Sequence, residues 1–89
     1  MANHPSAWKR IRQAEKRRLR NKFYRTRMKT FVKRVREAIQ EKNTEEAVIR
    51  LQEASQIIAK TASKGVIHKR TAARKVSRLT QQVNALQAS

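Results

Sequence analysis

The sequence holds no cysteine, one glycine (Gly65), one proline (Pro5) and six acidic residues among 89. Each shortage excludes something. Without cysteine there are no disulfides and no thiolate metal sites, and redox chemistry says nothing about compartment. With so little Gly and Pro there is almost no material for turns or strands. No apolar run approaches the roughly 18–20 residues that cross a bilayer. The N-terminus lacks the apolar segment of a secretory signal. It is Arg-rich and nearly acid-free, as an organelle transit peptide is, but it is not Ser-rich. A cytoplasmic location is the expectation. Catalytic material is also missing. His4 and His68 stand far apart in sequence, and there is no nucleophile–base pair, glycine-rich phosphate loop or acid/His cluster with metal spacing. No enzyme activity, cofactor, metal or small-molecule substrate is expected.

What the chain has in excess is positive charge. Its 23 Lys and Arg give a net charge of +17. Fourteen of them fall between Lys9 and Arg36, where Glu15 is the one acid. A folded core cannot bury so many like charges unpaired, and a free helix carrying them repels itself. The segment makes sense beside a dense polyanion, of which nucleic acid is the obvious one. The charge is uneven: residues 1–42 carry net +12, 43–64 net zero and 65–89 net +5. That distribution describes a binding side and a water side.

Ala, Arg, Lys, Gln and Glu dominate, all good helix formers. The pattern predicts an all-α, single-domain chain: a three-helix bundle whose long, highly basic first helix projects beyond the bundle. Helix one is expected over about 6–42, opening at Ser6 as N-cap behind Pro5. Helix two is expected over about 44–64, capped by Thr44, with Glu45 and Glu46 in its first turn and Lys64-Gly65 at its end. Helix three is expected over about 67–86, with 1–5 and 87–89 extended or frayed. Apolar stripes support this. They are Met28, Val32, Val35 and Ile39 with Phe31 and Ala38; then Ala47, Leu51, Ala54, Ile58 and Ala62; then Ala72, Val76, Leu79, Val83 and Leu86. At 100° per residue, Trp8, Leu19 and Phe23 lie on roughly the opposite side from the first stripe. Helix one would be about 55 Å long against about 30 Å for the others, so about half of it overhangs. An isolated helix of that charge is marginal in water. Residues 1–25 are therefore expected to be disordered or frayed without ligand and helical with it. The core is thin against an ordering cost of about 1–2 kcal/mol per residue, so stability leans on the partner.

Charge and chemistry nominate the binding residues. On helix one they are Lys9, Arg10, Arg12, Lys16, Arg17, Arg18, Arg20, Lys22, Arg25, Arg27, Lys29, Lys33 and Arg34. They surround the axis, which suits a crevice between several nucleic-acid helices better than one groove of one duplex. On helix three, Arg70, Arg74 and Arg78 recur every four residues opposite the apolar stripe, with Ser77 beside them, and Lys69 and Lys75 are nominated as well. Guanidinium forks there suit bidentate phosphate contact. Trp8, Phe23 and Tyr24 stack on bases, or shield one another at the bundle edge. His68 and Asn84 contact RNA or cap helix ends.

Two stretches resemble a known family. The opening Ala2-Asn3-His4-x-Ser6-Ala7-x-Lys9-Arg10-x-Arg12-Gln13-x-Glu15-Lys16-Arg17, then Asn21, looks like the start of the bacterial-type small-subunit ribosomal protein family numbered twenty. So do Gly65-Val66-Ile67-His68-Lys69, Ala72-Ala73-Arg74, Ser77-Arg78-Leu79 and Val83-Asn84-Ala85. The resemblance covers the whole chain. It implies a three-helix bundle with an extended first helix that binds directly to 16S ribosomal RNA and helps the small (30S) subunit assemble. It places the protein in the lower body of the subunit, against the 5′ domain and near the long penultimate RNA helix. By position it implies binding through Asn3, His4, Ser6, Lys9, Arg10, Arg12, Lys16, Arg17 and Asn21, with His68, Lys69, Arg74, Ser77 and Arg78. Pro5 stands where Lys is usual, Trp8 where an aliphatic is usual, and Gln81-Gln82 where basic residues are common; no phosphate contact is carried over to those positions. No homo-oligomer and no membrane contact are implied. A plastid source would place the protein in the stroma.

Two rivals remain on the sequence. A histone-like DNA-compacting protein fits the charge, but no dimer interface or groove-reading element is evident. A cationic membrane-surface helix would need a wider apolar stripe than Trp8, Leu19 and Phe23 provide.

Overall fold

The computed structural model describes residues 5–88, and these form three helices: α1 (Pro5–Gln40), α2 (Thr44–Ser63) and α3 (Lys69–Ala88). The molecule measures 63 × 22 × 15 Å. The length comes from α1, whose 36 residues outrun the 20 of each partner.

The core forms where the three apolar stripes meet. Met28, Val35 and Ala38 of α1, Ala47, Ala54 and Ile58 of α2, and Ala72, Leu79 and Val83 of α3 are buried together. Phe31, Val32, Ile39, Leu51, Val76 and Leu86 pack around them. The helix order in space is α1–α2–α3: α2 packs extensively on both partners, while α1 and α3 touch least. That leaves an open groove between α1 and α3. One core position escapes an apolar reading. Thr61 is fully buried, and its hydroxyl donates to the Ile57 carbonyl at 2.7 Å, so its polarity is satisfied within its own helix.

Both connections are built at helix C-termini. At the end of α1, the Asn43 N–H donates to the Ala38 carbonyl and the Lys42 N–H to the Ile39 carbonyl, each at 3.0 Å. At the end of α2, Val66 donates to Thr61 at 3.2 Å and Gly65 to Ala62 at 2.9 Å. Both are Schellman closures, which need a left-handed residue at their centre. In the second it is Gly65 (φ 75°); in the first it is Lys42 (φ 57°), which carries a Cβ into that region. Lys42→Gly should therefore stabilise the bundle, and Gly65→Ala, which meets no atom within 4 Å, should destabilise it. Each effect should be about 1 kcal/mol, or about 4–8 °C in the thermal midpoint. Circular-dichroism melts of the two variants check the opposite signs.

Several expected boundaries shift. The α2 N-cap is Asn43, not Thr44: its side-chain oxygen accepts from the Glu46 N–H at 3.1 Å. The carboxamide reaches the N3 amide that a cap must satisfy, and Thr44 is already helical. Ser6 lies within α1, which already includes Pro5, and not ahead of it. α3 starts at Lys69 because His68 caps it: Nδ1 accepts from the Arg70 N–H at 3.1 Å. Gln87 and Ala88, expected to fray, continue α3. Asn84 lies inside α3 and caps nothing.

From Trp8 to Arg20 every residue of α1 is exposed, so this stretch is an arm overhanging the bundle. It is helical throughout, as expected for the bound state; of the stretch 1–25, residues 1–4 lie outside the described residues. Two causes favour helix. The packed half of α1 supplies the nucleus, so each further residue costs only propagation. Glu15 and Arg18 also pair at 2.6 Å one turn apart.

Candidate nucleic-acid interface

The helix spacing that buries the α1 stripe also sets Lys29, Lys33 and Arg36 beside it, four and three residues apart. α3 brings Lys75 and Arg78 to the other wall of the α1/α3 groove. Met28, Val32 and Leu79 form its floor, with Gln82 at one end. None of the residues lining this groove is acidic. Glu37 reaches Lys33 only at 4.0 Å, in an exposed pair of little strength. Five cations from two helices thus face one channel without local neutralisation, where an anion would find several donors at once.

The arm extends the same character. Gln13, Lys16, Arg17 and Arg20 form a polar cradle. With Lys9, Arg10 and Arg12 they occupy an arc of about 160° at 100° per residue. All of these, with Ser6, Arg18, Lys22 and Arg25, are exposed, and Asn21 is half-buried where α1 enters the bundle. On α3, Lys69, Arg70, Arg74 and Ser77 are exposed, the last three on the side away from the core. His68 uses Nδ1 as the helix cap, which puts its proton on Nε2 and leaves an N–H donor there.

Not every nominated residue joins these surfaces. Arg34 lies on the α1/α2 side with Glu37, Glu41, Glu46 and Arg50, its guanidinium 4.8 Å from the Phe31 ring centre. That is a cation–π contact in a mixed-charge setting, not part of the cationic groove. Arg27 is half-buried, 5.9 Å from the same ring. Asn3 and His4 lie outside the described residues. Arg36, by contrast, is a groove residue that the sequence reading passed over. The signal was available, since Arg36 continues the Lys29, Lys33 spacing on the flank of the buried stripe.

α2 shows the opposite electrostatics. Arg50 is clasped by Glu46 at 2.7 Å and Glu53 at 3.2 Å. Its guanidinium is held more strongly protonated than usual, first by the hydrogen bond to Glu53 and then by the charge of Glu46. The Glu15 carboxyl is likewise lowered by the hydrogen bond and charge of Arg18. Its contribution is therefore full above the ordinary carboxylate range and fades as pH falls through the lowered value. Phe23 and Tyr24 meet edge to face, centroids 5.5 Å apart at 78°. Trp8 stands half-exposed on the arm. Among the described residues no group of three or more His, Asp or Glu could hold a metal, and no helix is long and apolar enough to cross a membrane.

The family described as ribosomal protein S20 matches residues 2–84. A small ribosomal subunit protein bS20 from Trichlorobacter lovleyi is 57% identical over 86 residues, 97% of this chain and 99% of that one. Its namesake from Desulfotalea psychrophila is 58% identical over 92 residues, covering both chains completely. Another, from Geobacter sulfurreducens, is 55% identical over 86 residues, 97% of this chain and 99% of the relative. With the family match spanning nearly the whole length, and relatives this similar from end to end, the chain belongs to the ribosomal protein S20 family.

Proposed function

We propose that this chain is a structural constituent of the small ribosomal subunit. It binds directly to 16S ribosomal RNA, at the 5′ domain and the long penultimate helix, and aids assembly by holding together RNA segments whose phosphates repel. The observation that carries this is the convergence of Lys29, Lys33, Arg36, Lys75 and Arg78 on one acid-free groove, continued by the arm's basic cradle. One RNA segment lies along the groove and the outer face of α3, and another against the arm. The lysines and arginines replace condensed counterions on both. Contacts to backbone and shape dominate over base reading, as they do for helical RNA. α2, with its paired carboxylates, faces solvent. The place of action is the ribosome in the cytoplasm, or the stroma for a plastid source, and the role is not catalytic.

The test is the salt dependence of binding to 5′-domain RNA. Arg17→Ala and Arg74→Ala should each weaken binding and lower the log–log salt slope by about 0.7–0.9. Glu45→Gln and Gln52→Ala, on α2, should leave both unchanged. An unaltered slope in both arginine variants contradicts the assignment.

A further inference from the structure

The arm has a second side that charge neutralisation does not use. Trp8, Ile11, Leu19 and Phe23 share an arc of about 120° at 100° per residue, and each is at least half-exposed. Leu19 at 54% and Phe23 at 59% are the most exposed large apolar side chains among the described residues. Leu19, Phe23 and Thr26, with the aliphatic stems of Lys22 and Arg27, line an apolar hollow there. Resting on the RNA-binding reading above, we infer that this hollow seats an unpaired RNA base, whose neighbouring phosphates are held by Lys22 and Arg27.

Three observations select this occupant. Two of the hollow's five lining residues, Lys22 and Arg27, carry positive charge at their ends, which favours an occupant with negative charge beside its apolar part. A second copy of this chain, itself at +17, brings the wrong sign to a patch only two large side chains wide. The exposed surface of the hollow is almost wholly apolar, so the flat face of a base is what meets it, while the backbone passes over the charged ends of Lys22 and Arg27. An aromatic ring against a base face needs no particular sequence, because every base has a π-face. The Phe23–Tyr24 edge contact holds the platform in place before RNA arrives.

The experiment measures full-length protein binding to 5′-domain RNA across a salt series. Phe23→Ala should weaken binding by about 5- to 150-fold with an unchanged salt slope. Phe23→Trp, a larger platform, should restore or exceed wild-type affinity. Lys22→Gln and Arg27→Gln should each lower the slope instead. Phe23 is exposed and Ala is the better helix former, so folding is not at stake. Phe23→Ala binding within twofold of wild type overturns the inference while leaving the RNA reading intact. So does a loss confined to anionic vesicles or to self-association. Failure of the wild-type protein to prefer this RNA over duplex DNA removes the RNA reading and this inference with it.

Discussion

Replacing Arg36, Lys75 and Arg78 together by Gln should weaken binding to 5′-domain RNA by at least about three orders of magnitude and raise the melting temperature of the free protein. The two signs have one cause. These cations line the α1/α3 groove with no acid among the lining residues. In the free protein their convergence is repulsive, like-charge neighbours one turn apart costing about 0.2–0.5 kcal/mol per pair. In the complex each meets phosphate through a charge-assisted hydrogen bond, a class worth about 1.5–3 kcal/mol. Gln keeps the side-chain stem over Val32 and Leu79 and is a good helix former, so packing changes little. Three lost phosphate contacts should lower the salt slope by about two to three units. Filter binding from about 50 to 300 mM salt, with a thermal melt of the same protein, gives both readings. Equal affinity, or a fall in melting temperature, would mean that the groove cations serve the fold rather than the partner.

Ile58→Ala should cost about 2–5 kcal/mol. Ile58 is the largest fully buried side chain among the described residues, in the C-terminal half of α2, the helix both others pack upon. Most of its buried neighbours are Ala or Val, which cannot lean far enough to fill the space of the lost atoms. Stabilities of about 0.05–0.15 kcal/mol per residue make that loss a large share of the total for a chain this short. The variant should melt far below wild type, and saturating RNA should recover much of its helix signal, because a ligand that binds only the folded state stabilises it by mass action. A loss under about 1 kcal/mol would show a core able to collapse around the gap. Thr61→Val is the contrast. Its hydroxyl bonds within its own helix, so removing it leaves no distant partner stranded and should cost little.

What could be read from the sequence follows how each feature is encoded. The three stripes were legible because helical burial repeats every three or four residues, and Val35, Ile58 and Leu79 sit where that period puts them. The overhang of α1 followed from length alone. The caps were harder. Asn43 and Thr44 are both good N-cap residues, and only the geometry at the Glu46 N–H separates them. Thr61 escaped because a hydroxyl that satisfies itself within a helix leaves no mark on a hydropathy pattern. Among the site residues, the surplus of charge marked the arm and α3 correctly as surface. It could not tell Arg34, turned toward Phe31 and the α2 acids, from Arg36, turned into the groove. Those two side chains differ by two positions on one helix. Which of them meets the groove depends on where α3 packs, a tertiary fact that local composition does not carry. The same applies to the hollow over Leu19 and Phe23, whose exposure follows from α2 and α3 being too short to reach it.

The most direct test of the central claim is binding of the full-length protein to 5′-domain small-subunit RNA at about 150 mM salt, with excess random-sequence duplex DNA as competitor. A surface that recognises folded RNA by shape, with charge supplying the affinity, should hold that RNA tightly while the competitor displaces little. Complete displacement by the duplex would contradict the account, because it would leave charge as the only property that the groove and arm recognise.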